Sequence, residues 1–266
     1  MWVNVPVQEL TYIHINSFRF QKNPAVSADS LTDINTVWAY YNGNLIGEFD
    51  LPATFPVLAT GTGQVMLTPG IPNTGLNNEE ANYPFYTNDT FTINAAPGKV
   101  ITHSAVTSYY STTKVIPIAD FTAVPGFSLA GGAGGLTIIN ADSLKYHHGP
   151  TAGIFLNSPG DSTVIVTNNP FTINTSYSFI EFDYNCTMPF SVSLQPVFGS
   201  SPAGSITFLA GVSPNRGWHK FYIYVSEFAM ATKGDSYNLW IQANLSPEQQ
   251  YGMVLLANIN LLSIDN

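Results

Sequence analysis

"SFIEFDYNC" (178–186) alternates between two phases, with Ile180, Phe182, Tyr184 and Cys186 in one and Phe179, Glu181, Asp183 and Asn185 in the other. Successive side chains of an extended chain point to opposite faces, so the stretch predicts a strand with its first phase in a core. "WHKFYIYVSEF" (218–228) repeats the pattern, with Phe221, Ile223 and Val225 inward and Lys220, Tyr222 and Tyr224 outward. "YNLWIQANL" (237–245) does so again: Tyr237, Leu239, Ile241 and Ala243 face in, and Asn238, Trp240, Gln242 and Asn244 face out.

Short runs of this kind recur along the whole chain, roughly every 8–15 residues, which is the all-β signature. The first half holds "TYIHINSFRF" (11–20), "NTVWAYY" (35–41), "LIGEFDL" (45–51), "QVMLT" (64–68), "DTFTINA" (89–95) and "VITHSAVTSYYSTTKVIPI" (100–118). The second adds "LTIIN" (136–140), "AGIFL" (152–156), "STVIVT" (162–167), "FSVSLQPVF" (190–198), "SITFLAGV" (205–212) and "GMVLLANINLLSI" (252–264). The 18 prolines and 21 glycines are spread so evenly that few windows have room for an amphipathic helix of three turns. Asn42-Gly43-Asn44 reads as a hairpin turn, because Asn-Gly supplies the positive φ that tight hairpins need.

A joint is expected near "VIPIADFTAVPGF" (115–127), where Pro117 and Pro125 flank Asp120 and the glycine run "AGGAGG" (130–135) follows. The 266 residues thus divide into a domain at 1–118 and a domain at 119–266, each of sandwich size. Charged residues are 9% of the chain, against roughly 25% in an average soluble domain, so its solubility rests on Asn, Ser, Thr and Tyr. With 8 basic and 17 acidic residues, net charge −9, and no Lys/Arg cluster, a phosphate-tracking nucleic-acid surface is not expected. Cys186 is the single cysteine, so no disulfide forms within the chain. No apolar run is long enough to span a bilayer, and "MWVNVPVQELTY" (1–12) reads as the start of a mature or trimmed chain rather than a signal peptide. Asn88, Asn174, Asn185 and Asn244 head Asn-x-Ser/Thr sequons, a pattern that an Asn/Ser/Thr-rich chain yields by chance.

"LIGEFDLPATFPVL" (45–58), "VMLTPGI" (65–71) and "YPFY" (83–86) resemble the N-terminal immunoglobulin-like domain of secreted or lipid-anchored surface proteins of Bacteroidota-type bacteria. "YHHGPTAGIFL" (146–156), "SFIEFDYNC", "WHKFYIYV" and "LLANINLL" (255–262) are similar to the jelly-roll domains associated with them, which share a sandwich with carbohydrate-binding modules. The resemblance implies an immunoglobulin-like β-sandwich followed by a jelly-roll β-sandwich. It further implies an outer-membrane, extracellular location, with membrane contact only through a lipid anchor upstream of the given chain. No motif in it is a catalytic signature.

Candidate chemistry is sparse. His147 and His148 are adjacent, so an extended backbone points them to opposite faces, and they read as strand-start structure, with ligand contact from a loop rim as the functional alternative. His14, His103 and His219 are isolated, and no HExxH or Cys/His cluster offers a transition metal its ligands. "GFSLA" (126–130) imitates a serine elbow, but a glycine run follows where the elbow needs a helix, so it reads as loop. Cys186 reads as a buried, inert thiol. No cofactor is expected; Asp120, Asp142 and Asp161 are candidates for a structural Ca²⁺, with no D-x-D-x-D-G loop behind them.

The outward phases of the three strands are more informative. Glu181, Asp183, Lys220, Tyr222, Tyr224, Trp240, Gln242 and Asn244 could share one open face, with His147 at its rim. Flat rings stack on the apolar face of a pyranose while carboxylates and amides take its hydroxyls, so a glycan is the ligand such a face suits. The same face could instead pack on a surface protein complex or be plain solvated sheet. Glu181 and Asp183 lie two apart on one strand, with Cα atoms roughly 6.5–7 Å apart, a separation a glycosidase could use. Spacing of this kind is common on strands, and a non-catalytic surface protein is the expectation.

Overall fold

The computed structural model describes residues 10–72, 80–139, 149–173, 177–199, 201–202 and 204–264. These form twenty strands and one short helix, and the chain divides into two units. The protein is all-β, as the alternating runs predict.

The first unit comprises the described residues of Met1–Ala25, Ile34–Pro72 and Glu80–Ser111. Its strands are β1 (Thr11–Phe20), β2 (Thr36–Tyr41), β3 (Asn44–Asp50), β4 (Ala53–Val57), β5 (Gly61–Pro72), β6 (Glu80–Asn82), β7 (Asp89–Ala95) and β8 (Val100–Thr107). One sheet has the order β4-β1-β8; the other runs β3-β2-β5, with β6 and β7 both paired to β5. Period-two patterning builds its core: Ala53, Phe55 and Val57 of β4 are buried between exposed neighbours and join Ile13 and Ile15 of β1, Val37 and Ala39 of β2, and Val65 and Leu67 of β5. The β2–β3 turn is the expected Asn-Gly hairpin, with φ of 47° at Asn42 and 80° at Gly43.

The second unit includes Val26–Asp33 and the chain from Thr112 onward. Its strands are β9 (Thr113–Ala119), β10 (Phe127–Gly132), β11 (Thr137–Ile139), β12 (Thr151–Leu156), β13 (Ser162–Thr167), β14 (Ser178–Cys186), β15 (Phe190–Phe198), β16 (Ser201–Pro202), β17 (Thr207–Val212), β18 (Asn215–Tyr224), β19 (Ser236–Asn244) and β20 (Gly252–Ile264). One sheet runs β11-β12-β20-β14-β18 with β9 on β20; the other runs β10-β13-β19-β15-β16 with β17 on β15. From β12 to β15 and again from β17 to β20, each connection crosses from one sheet to the other, the winding of a jelly roll. Ile180, Phe182, Tyr184 and Cys186 of β14 face Val192 and Leu194 of β15 and Leu239 and Ile241 of β19 within one hydrophobic cluster.

Three local expectations change. The run at 100–118 is two strands, β8 and β9, that belong to different units, so the division falls at Ser111/Thr112 and not at 118/119. No Pro or Gly lies between β8 and β9, which is why composition placed the joint later. "GFSLA" lies largely in β10, which pairs with β13 from Phe127↔Thr167 onward, and is not loop. "SEF" opens the helix α1 (Ser226–Thr232), seven residues too short to display a helical period, ended by Lys233 in the left-handed region at φ 53°.

Phe182 is 1% exposed, and its ring centroid lies 5.1 Å from that of Phe221. Phe182→Ala is expected to destabilise the second unit by about 3–5 kcal/mol. In calorimetry the transition of that unit should move to lower temperature while the first unit, whose core is a separate cluster, keeps its own; an unaltered profile contradicts the packing described.

Candidate functional site

The two phases of β14, β18 and β19 are as expected, but the three strands do not share a face. β14 and β18 lie in one sheet and β19 in the other, so their outward residues stand on opposite sides of the sandwich. The single polar-aromatic face predicted from sequence is therefore corrected to two faces, one closed and one open.

The closed face belongs to β14 and β18. Glu181, Asp183, Lys220 and Tyr222 are all buried, at 1, 0, 2 and 0% exposure, where solvent-facing positions were expected. The physical reason is the segment Val26–Asp33, which the chain contributes to this unit from far upstream. Asp33 Oδ2 accepts from the Lys220 backbone N–H at 3.1 Å and contacts His219 Nδ1 at 3.0 Å, and the Asp33 backbone N–H donates to the Tyr222 hydroxyl at 3.2 Å. Beneath it, Lys220 Nζ lies 2.8 Å from Asp183 Oδ1 and 3.6 Å from Glu181 Oε2, and Asn258 Nδ2 donates to Asp183 Oδ2 at 2.7 Å. Burial opposes the lysine charge, yet Asp183, Glu181 and Tyr222 outweigh it and hold the ammonium above its ordinary pKa. Tyr224 is half-buried at the margin, its ring 5.1 Å from that of Phe179 and 6.3 Å from that of Tyr177.

The open face belongs to β13, β19 and β15. Their buried positions alternate strictly with positions that reach solvent. Ser162, Val164 and Val166 of β13 face out, as do Asn238, Trp240, Gln242 and Asn244 of β19 and Ser191, Ser193, Gln195 and Val197 of β15. Pairing across the strands places Val166, Trp240 and Ser193 in one row and Val164, Gln242 and Ser191 in the next. Trp240 is half-buried, and its indole N–H donates to Gln195 Oε1 at 3.1 Å. An indole nitrogen only donates, so the amide atom facing it is the oxygen, which leaves Gln195 Nε2 to donate to the Gly204 carbonyl at 3.0 Å. The ring is thereby pinned at the middle of the face. Gln242 and Asn244 are exposed and linked by a 3.2 Å bond between their amides.

Sequence reasoning missed Gln195, Ser191 and Ser193, although "FSVSLQPVF" carries the same period-two signal that exposed Trp240. It also missed Asp29 and Asp33, which no local pattern connects to β18. His147, His148 and Asp142 lie outside the described residues. The other histidines have structural partners: His14 bonds Thr54 Oγ1, and His103 meets Asp89 at 2.7 Å and stacks on Phe91. Among the described residues no group of three or more His, Cys, Asp or Glu is arranged to hold a metal ion. Asp120 is exposed and caps its own turn by accepting from Thr122. Cys186 is buried, and burial pushes its thiol up to about 11.

No protein-family model and no curated protein sequence matches the chain. Solved structures do resemble it. One, from a study of the promiscuous specificity of carbohydrate-binding modules of the β-sandwich superfamily, is 14% identical with a TM-score of 0.43 and covers 97% of this chain and 100% of its own. The family 11 carbohydrate-binding module of Clostridium thermocellum, in complex with a β-1,3-1,4-mixed-linked tetrasaccharide, is 13% identical with a TM-score of 0.39, covering 55% of this chain and 94% of its own. The enzymatically active domain of tailspike protein 4 of bacteriophage CBA120 is 10% identical with a TM-score of 0.40, covering 64% of this chain and 26% of its own.

The closed face yields two predictions. Lys220→Met removes the counter-charge of two buried carboxylates and should cost about 3–5 kcal/mol, measured by urea denaturation. Asp29 is held above the ordinary carboxylate range by burial, by its hydrogen bond to Asp183 and by the Asp183 charge, against the opposing pull of Lys220 and the Ser30 backbone. A carboxyl raised on folding adds stability that is full below its unfolded pKa and lost as pH rises through the folded one. Asp29→Asn, which keeps a donor toward Asp183, should therefore narrow the drop in urea midpoint between pH 4 and neutrality, and an unchanged drop contradicts the assignment.

Proposed function

We propose that the protein binds glycan, without transforming it, through the open face of the second sandwich. The observation that carries this is Trp240: a flat ring reaching solvent at the centre of a sheet face, its orientation fixed by Gln195, and bordered by the amides of Gln242, Asn244 and Asn238 and the hydroxyls of Ser191 and Ser193. A sugar presents the complement of that surface, an apolar C–H face for the ring and hydroxyls for the amides. Pinning the indole before the ligand arrives lowers the ordering cost of binding.

The carboxylates support the non-catalytic part of the proposal. Glu181 and Asp183 were the pair with glycosidase-like spacing, and both are buried against Lys220 on the other sheet, away from the face that a glycan would meet. Hydrolysis needs one such group within reach of the glycosidic oxygen and kept protonated. We place the protein on the extracellular side of an outer membrane, with the first unit as an immunoglobulin-like spacer. A chain that draws its solubility from Asn, Ser, Thr and Tyr, with 9% of its residues charged, is in keeping with that setting.

Binding to immobilised polysaccharides tests the function. Trp240→Ala should lower affinity by about tenfold or more, and Gln195→Ala should weaken it by less, because the ring remains but is free to turn. If Trp240→Ala binds every glycan as the wild-type chain does, this face is not the site.

A further inference from the structure

The open face also bears on which glycans fit it, an inference that rests on the glycan reading above. The outward positions of β13, β19 and β15 are Ser, Val, Asn, Gln and Trp throughout, with no carboxylate, ammonium or guanidinium among them. On the other sheet, by contrast, Glu181 and Asp183 stand against Lys220, all three out of contact with solvent. An anionic sugar laid on the open face would lose water from its carboxylate or sulfate and gain no counter-charge, and an amino sugar would meet the same deficit.

A second ring extends the row that contains Trp240. Ser193 of β15 pairs with Trp240 on one side and with Phe208 of β17 on the other, and directly paired residues project from the same face. Phe208 is 58% exposed, and a Cβ placed at Gly211 would stand 3.8 Å from its Cζ, so the ring leans over a position that has no side chain. With strands about 4.8 Å apart, two strand spacings separate the rings by about 10 Å. Between them Ser193 contributes only a small hydroxyl, which leaves the row without an obstruction.

We infer that the ligand is an uncharged, extended polysaccharide lying across the strands, with Trp240 under one sugar residue and Phe208 under another further along the chain. The direction follows from the pairing row, the extension from the distance between the rings, and the neutrality from the uncharged outward positions of β13, β19 and β15.

Affinity electrophoresis against glucomannan, xylan and starch as neutral polymers, and polygalacturonate, alginate and chitosan as charged ones, separates the outcomes. Expected is retention by at least one neutral polymer and by none of the charged ones, with an affinity unchanged between about 0.01 and 1 M salt, since exposed charge pairs alone are screened over that range. Preferential retention by a charged polymer overturns the inference and leaves the glycan reading standing; no retention by any of them removes both. Oligosaccharides of the retained polymer then test the geometry by calorimetry. Phe208→Ala should reduce affinity for the hexasaccharide roughly three- to tenfold and leave the disaccharide unaffected, Phe208→Tyr should restore it, and Trp240→Ala should weaken both. Equal effects of Phe208→Ala on both lengths, or none on either, overturn the two-ring arrangement.

Discussion

Burying an ammonium costs several kcal/mol of lost hydration, and at Lys220 that cost is met within one strand pair: Asp183 sits directly across the β14–β18 ladder, and Glu181 follows two residues earlier on the same side. Two carboxylates for one ammonium leave a surplus of negative charge. Asn258 takes one Asp183 oxygen, and Asp29 retains its own proton to higher pH because it is buried and, next, because it hydrogen-bonds Asp183. Asp33 then ties the covering segment to the His219 ring and the Lys220 and Tyr222 backbone and hydroxyl groups. The arrangement closes one sheet of the second sandwich, and it leaves the opposite sheet as the one whose outward positions reach solvent.

This division was partly legible in the residues. β20 is apolar through "MVLLANINLL", with Leu255, Leu256, Leu261 and Leu262 on both phases, and a strand without alternation is one covered on both sides. β13, β15 and β19 alternate cleanly, as strands with one wet face do. Taken together, the two patterns separate a closed sheet from an open one. What they could not supply was sheet membership: "SFIEFDYNC" and "YNLWIQANL" carry equally good alternation, and only the winding of the chain sends β14 and β19 to different sheets. Nor could local pattern connect Asp29 and Asp33 to β18, since the contact between Asp33 and His219 spans 186 residues and depends on tertiary placement alone.

The open face owes its order to the groups that hold its ring and support its strands. Gln195 spends both halves of its amide on fixed partners, the Trp240 indole and the Gly204 carbonyl, so it holds the ring at one orientation without offering the ligand a group of its own. The buried phase beneath, Leu194, Leu239 and Ile241, is packed against β14 and gives the strands a rigid footing. A surface ring held in this way has little rotational freedom left to lose, so more of the contact energy is retained as affinity. The same logic explains why the charged residues of the chain serve this site best from a distance. A carboxylate beside Trp240 would add a strong acceptor for hydroxyls but would also demand its own hydration, whereas amides and hydroxyls exchange water for sugar hydroxyls at nearly equal cost. A polar face without charge thus favours ligands that are themselves polar without charge, and it does so through shape and ring contact more than through electrostatic attraction.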